Sequence, residues 1–345
     1  MGFRVAGAFL NFRELEKAWL LRQKLELGAR SEAYRVFHGP GEARGVLARY
    51  AVDRFGAHTW ITEWESTETV SAEEQATALN GIARFLEAQG MVSGVLLERP
   101  RGGIPSEPRA LFGTPPQAPF PVREHDSRFL IRLMGSRHPG LFLDHEPLRK
   151  WLAENAESWK VLNCFAYTGS LSVAAGIGGA DHVTTLDLSK PTISWARDNW
   201  ALNGLEAGAA DFIAGDVFEK LPRFAKQPAL FDCVILDPPS FSRGKKGSFS
   251  TQKDLFRLHK QALSVLQSGG TLITSINSVN VSRAKFRDEV RRAASECGVG
   301  LSPILEIKAP PSFPSQSDYL KGWVFQVRPA KGLKAGAPRK KEFRA

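Results

Sequence analysis

From about His138 onward, short apolar runs alternate with helix-like stretches, and this alternation constrains the fold more than any other feature of the chain. Lys160–Phe165, His182–Asp187, Asp211–Ala214, Phe231–Leu236 and Thr271–Ser275 read as strands. Ser170–Gly178, Pro191–Asn203, Thr251–Gln267 and Ser282–Glu296 read as helices between and after them. Pro191 suits a first helical turn and Asn203-Gly204 a helix end. Such alternation makes an α/β fold, a mostly parallel sheet covered on both faces. Ile304–Ile307 and Tyr319–Val327, separated by the Pro-rich stretch Ala309–Pro314, predict a closing antiparallel pair.

The 345 residues divide into three parts: a smaller α+β domain over 1–136, the α/β domain over 137–330, and a basic tail over 331–345. In the first part, Phe12–Leu27 reads as a helix and Gly45–Trp64 as a hairpin turning at Phe55-Gly56. Ser71 and Glu74 form a capping box that opens a helix ended near Gly90. Strands are expected at Gly94–Glu98 and Phe129–Met134, flanking an irregular connection with six prolines between Pro105 and Pro121.

Several classes are excluded. No apolar run approaches the ~18–20 residues needed to cross a bilayer, and the N-terminus lacks the pattern of a secretory signal. The three cysteines, Cys164, Cys233 and Cys297, fit neither a disulfide framework nor a zinc site, so a reduced, cytoplasmic setting is expected. His38, His58, His182 and His259 show no ligand spacing, and no metal is expected. The 46 Lys and Arg against 36 Asp and Glu give a net charge of +10, and half of that excess lies in Lys331–Ala345. That balance suits a polyanionic partner.

The strand ends carry the chemistry, because ligands of open α/β sheets bind beyond the carboxyl ends of the strands. Asn163-Cys-Phe-Ala-Tyr-Thr-Gly169 leads from the first strand into a helix whose free N–H groups suit a carboxylate. The second strand ends at Asp187, placed to accept ribose hydroxyls, and the third is followed by Asp216, placed to accept from an adenine amino group. Read blandly, both acids are helix caps. The missing Gly-x-Gly-x-x-Gly argues against a dinucleotide cofactor and an oxidoreductase. The fourth strand runs into Asp237-Pro-Pro-Ser-Phe241, where the prolines fix the backbone, Asp237 is aimed at one point and Phe241 offers a stacking face. Arg243, Lys245 and Lys246 follow in a Gly-bounded loop suited to phosphates.

Together these features describe an S-adenosylmethionine (SAM) site facing a planar substrate. Gly140-Leu-Phe-Leu-Asp-His145, Val161–Ser170, Asp237–Phe241, Gly269-Gly270 and Arg123-Glu-His-Asp126 resemble bacterial 23S rRNA methyltransferases of the class I, Rossmann-like type. The resemblance spans roughly 33 to 327. It implies SAM as cofactor, held by Asn163, Phe165, Tyr167, Thr168, Gly169, Asp187, Leu188, Ser189, Asp216, Val217 and Asp144. It implies ribosomal RNA as partner and Asp237, Pro238, Phe241 and Asn277 as the residues at the base. The N-terminal PUA domain common in the family does not fit in the residues before Ser31.

The family's two branches differ in chemistry. Carbon 5 of cytosine becomes nucleophilic only after a thiolate adds to carbon 6. The cytosine branch carries that cysteine beyond the fifth strand, where this chain has Asn277 in Ser275-Ile-Asn277-Ser278. The chain is more similar to the guanine-N7 branch, in which the acceptor nitrogen already has an in-plane lone pair. Asp237 and Asn277 are then expected to read the base edge and Phe241 to stack on it. Methylation of another position, such as an exocyclic amine or cytosine C5, and a non-catalytic RNA-binding protein are the alternatives. One departure stands out: Glu146 replaces the Arg that follows the Asp-His or Asp-Gln pair in the family, which leaves Arg149 or Lys150 to meet the SAM carboxylate.

Overall fold

The computed structural model describes residues 2–5, 8–66, 69–227, 230–244, 247–251, 253–314 and 319–329. The chain forms two compact units, Met1–Leu143 with Pro310–Gln316, and Asp144–Ala309 with Ser317–Ala345. The boundary thus falls after Leu143, later than the expected 136, and the first unit also takes in a short piece from far along the chain. The basic tail, 331–345, lies outside the described residues.

The second unit carries a seven-stranded sheet. Its strands are β1 (Lys160–Cys164), β2 (His182–Asp187), β3 (Ala210–Ala214), β4 (Phe231–Leu236), β5 (Leu266–Asn277), β6 (Val299–Ile307) and β7 (Leu320–Pro329). They lie in the order β3-β2-β1-β4-β5-β7-β6. The first five strands are parallel, and β7 runs antiparallel between β5 and β6. Alternation along each strand sends side chains to two cores. Leu162, Val234, Leu236 and Leu272 pack with helices α5 (Leu255–Leu263) and α6 (Arg283–Glu296). Val161, Val183, Ile235 and Ile273 pack on the other face with α1 (Glu146–Asn155), α2 (Ser170–Ile177) and α3 (Lys190–Leu202).

One expectation fails here, and one helix appears that the sequence reading does not include. The helix predicted over 251–267 covers only Leu255–Leu263, because Leu266 is already paired with Phe231 in the sheet. A further helix, α4 (Val217–Phe224), follows β3, although it contains Pro222.

The first unit holds a five-stranded sheet of Ala33–His38, Tyr50–Phe55, His58–Trp64, Ser93–Arg99 and Arg109–Gly113. The capping box is formed: Ser71 Oγ accepts from the Glu74 N–H, and the Glu74 carboxylate accepts from the Ser71 N–H at 2.9 Å. The Pro-rich connection is not irregular throughout. Arg109–Gly113 is free of proline and pairs with Ser93–Leu96, and Pro121 lies in a two-stranded hairpin. The Arg123–Asp126 motif makes that hairpin's turn, with Glu124 buried and His125 at φ 50°. Arg22, 2% exposed, forms a two-pronged ion pair with Glu42 and donates to the Ser312 carbonyl at 2.8 Å.

Candidate active site

The carboxyl ends of β1 to β5 meet along one edge of the sheet. At the end of β1 the chain turns through Phe165 (φ 57°), Tyr167 (φ 50°) and Gly169 (φ 74°), all left-handed. A residue with a Cβ resists that conformation by roughly 1–3 kcal/mol, so two such residues in one turn need support. Asp187 and Asn199 provide it. The Tyr167 N–H donates to Asp187 Oδ2 at 2.9 Å, and Asn199 Nδ2 donates to the Thr168 carbonyl at 2.9 Å. Gly169 has a further reason to be glycine, because a Cβ there would lie 2.8 Å from the Ala196 Cβ on α3. Its expected role, letting backbone approach a ligand, is joined by close packing of the turn on a helix.

Asp187 is busier than the sequence implies. Its Oδ1 also accepts from the Ser189 N–H at 2.9 Å and from Thr192 Oγ1 at 3.2 Å. A carboxylate has about four acceptor positions; three are used by these donors and one remains open. Ser189 caps α3 by accepting from the Thr192 N–H. Asp216 caps α4, accepting from the Phe218 N–H at 2.8 Å through Oδ1, and its Oδ2 has no partner among the described residues. Asp216 is therefore the helix cap of the bland reading, with one carboxylate oxygen left open. Leu188 leaves a large apolar side chain 47% exposed beside them.

Four of the expected cofactor contacts are engaged with other groups of the protein. Asn163 is buried and donates to Ser172 Oγ at 2.9 Å, and Thr185 donates to the same oxygen. Val217 is buried in the sheet–helix core. Phe165 packs its ring against Phe249, which also meets Phe218, with centroids 5.8 and 5.7 Å apart. Phe249, absent from the sequence reading, comes from a hairpin of Phe241–Gly244 and Gly247–Ser250, where a loop was expected. Asp144 joins a different group altogether.

That group lies at the ends of β4 and β5. Asp237 follows β4, and its Oδ1 accepts from Ser275 Oγ at 2.6 Å. His145 sits between two carboxylates, with Nδ1 3.2 Å from Asp144 Oδ1 and Nε2 3.3 Å from Ser275 Oγ and 3.5 Å from Asp237 Oδ1. Burial works to lower the His145 pKa, but Asp237 and Asp144 together raise it to about 10. Sequence reasoning quoted His145 within a motif and gave it no role; its partner Ser275 lies 130 residues away. Pro238 is buried, and Ser240 Oγ donates to the Asn277 carbonyl at 2.5 Å, which ties the turn after β4 to the end of β5. The Asn277 side chain is exposed at that strand end. The side chains of Phe241 and Arg243, and Lys245 and Lys246 as a whole, lie outside the described residues. Cys164 and Cys233 are buried in β1 and β4, and burial pushes the Cys164 thiol up.

Residues 34–335 match the family model of S-adenosylmethionine-dependent methyltransferases. The chain belongs to this family. Over 319 residues it is 28% identical to a Bacillus subtilis (strain 168) protein, "Putative ribosomal RNA large subunit methyltransferase YwbD", covering 91% of this chain and 78% of that protein. Among solved structures, SMU.776, "a putative methyltransferase complexed with SAH", superposes with a TM-score of 0.79 at 23% identity, over 95% of this chain and 87% of that one. The complex of aTrm5 and tRNALeu gives 0.53 at 14% identity, over 78% and 69%. At these identities the structures share the class I fold.

The methyltransferase takes SAM as its cofactor, and its strand ends fit that molecule. At these strand ends Leu188 is exposed and Asp216 and Asp187 each keep an acceptor position open, groups that would suit the adenine and ribose of a bound SAM. The start of α2 presents N–H groups to the amino-acid end. Of the two cations proposed to replace the missing Arg at 146, Lys150 is 58% exposed and pairs with Glu154, whereas Arg149 is 2% exposed. Among the described residues, no helix is long and apolar enough to cross a membrane.

Proposed function

We propose that this methyltransferase modifies N7 of a guanine in 23S rRNA. The observation that carries the reading is the composition of the edge beyond β4 and β5: a carboxylate at Asp237, an exposed amide at Asn277 and no thiol. Cys164 and Cys233 are buried within strands, and Cys297 closes α6. Addition to carbon 6 of a pyrimidine needs a thiolate in contact with the base. Guanine N7 needs none. The name of the Bacillus subtilis relative supports a large-subunit rRNA substrate, and the excess of basic residues suits RNA.

SAM supplies an electrophilic methyl group when bound. The protein's part is alignment and electrostatics. Holding a lone pair in line with the methyl–sulfur bond supplies ~7–11 kcal/mol of the barrier reduction. Methylation at N7 leaves the purine positively charged, and Asp237, accepting from an N–H of the base, stabilises that charge as it develops. Asn277 contributes a second contact to the base edge and Phe241 a stacking face. The N-terminal unit, with Arg243, Lys245 and Lys246 and the basic tail, adds backbone contacts to RNA.

The test is nucleoside mass spectrometry of 23S rRNA taken from cells without the gene and incubated with the purified protein and SAM. The expected product is 7-methylguanosine, lost in Asp237→Ala while SAM binding persists. A product methylated on an exocyclic amine or on cytosine C5 overturns the assignment of the acceptor atom, and absence of any product overturns the RNA reading.

A further inference from the structure

The hydrogens around His145 can be counted. A carboxylate accepts and cannot donate. Ser275 has one hydroxyl hydrogen, and its 2.6 Å contact with Asp237 Oδ1 uses it. The 3.3 Å contact between His145 Nε2 and Ser275 Oγ therefore needs a hydrogen on Nε2. The contact between Nδ1 and Asp144 needs one on Nδ1. With carboxylates at Asp144 and Asp237, this count puts a proton on both nitrogens of a ring that is 5% exposed, with Asp144 on one side and the Ser275–Asp237 pair on the other.

The network is also asymmetric at its far end. Both Ser275 and His145 address Oδ1 of Asp237. Oδ2 has no partner among the described residues, and the side chain is 25% exposed. One oxygen is thus committed to the protein, and the other is held toward solvent at the strand edge. Charge-assisted bonds of this kind are about twice as strong as neutral ones and fix the carboxylate plane.

We infer that His145 is a positioning residue: as an imidazolium strut braced on Asp144, it fixes Asp237 so that Oδ2 alone accepts one N–H of the substrate base. The inference rests on the assignment of Asp237 to the base, but not on which base atom is methylated. The neighbouring groups are consistent with it. Asp144 on the turn before α1, Asp237 after β4 and Ser275 on β5 are the polar groups that bond the ring.

The experiment uses the full chain with ring-15N histidine. At about pH 8, well above the ordinary histidine value near 6.5, one histidine is expected to show both ring nitrogens protonated. That signal is expected to vanish in His145→Gln, which assigns it, and to lose its raised pKa in Asp237→Asn. In parallel, His145→Ala is expected to lower kcat by roughly 10–100-fold with the SAM Kd unchanged. His145→Gln should recover part of that loss, because its amide can donate toward Ser275. A neutral ring at this pH, or His145→Ala turning over like the wild type, overturns the inference. If His145→Ala does not fold, the wild-type spectrum and the Gln variant still decide it. A product other than 7-methylguanosine, with the His145 effects intact, sinks the guanine-N7 reading and leaves the strut standing.

Discussion

Ser275 donates its hydroxyl hydrogen to Asp237 across 2.6 Å, joining the end of β5 to the first residue after β4. Among the described residues, removing it with Ser275→Ala leaves the carboxylate with the longer His145 contact at 3.5 Å. A hydrogen bond to a charged group contributes about 1.5–3 kcal/mol. The expected outcome is a kcat/KM lower by about 10–100-fold, read in single-turnover methylation, with SAM affinity within about twofold of wild type. A fall in SAM affinity as large as the fall in rate would place Ser275 in the cofactor site instead.

Gly169→Ala combines a positive φ with a Cβ only 2.8 Å from Ala196. Neither the turn nor α3 accommodates the methyl group without moving. We expect a loss on the order of 1–3 kcal/mol in stability, seen as a lower Tm, together with SAM binding weakened at least tenfold by calorimetry. An unchanged Tm would show that the turn is more permissive than its dihedrals indicate.

Asp187→Asn keeps the size of the side chain and exchanges one acceptor oxygen for an NH2 group. The Tyr167 N–H, Ser189 N–H and Thr192 hydroxyl all point at that carboxylate. At least one of these donors then faces another donor. Loss of SAM binding by about tenfold or more is expected from the disordered turn and the lost ribose contact. Crystals of the variant should show the Phe165–Gly169 turn displaced; an undisturbed turn would assign Asp187 to the ribose alone.

Stability should depend on pH from both sides. His145, with a folded pKa of about 10 against an ordinary 6.5, contributes stability that is complete below 6.5 and is lost as pH rises toward 10. His38 does the reverse. Burial, then Arg35 and Arg22, lower its pKa to about 3, so its contribution is present above 6.5 and is lost as pH falls toward 3. Differential scanning calorimetry is expected to show the alkaline decline flattened in His145→Gln and the acid decline flattened in His38→Gln. Identical profiles in wild type and variants would refute both.

Much of the fold was legible because its strands are short, buried and bounded. β2 and β4 fall where the sequence reading puts them, at His182–Asp187 and Phe231–Leu236. β5 was cut short because Leu263 and Leu266 are three residues apart, a helical spacing, and no Gly or Pro intervenes to end the helix. α4 is masked in the sequence by Pro222, which lies inside it. The site was only half legible. A strand-end aspartate that caps a helix and one that awaits a ligand share the same sequence, and Asp216 is the first with room to be the second. Asn163 looks like a ligand contact until Ser172 is seen to take its amide. His145 acquires meaning only from residues on two distant strands, a relation no local pattern carries.

Between β6 and β7 the chain leaves the methyltransferase sheet, contributes Pro310–Gln316 to the N-terminal unit and returns. There Ser312 gives its carbonyl to the buried Arg22. Cutting the connection at Leu143 therefore does not free either unit. Full separation takes three cuts, after Leu143, Ala309 and Gln316, and every protein made by fusing or exchanging one unit inherits a fragment of the other. The two halves of this enzyme are knitted by their own backbone, so they must be transplanted as one.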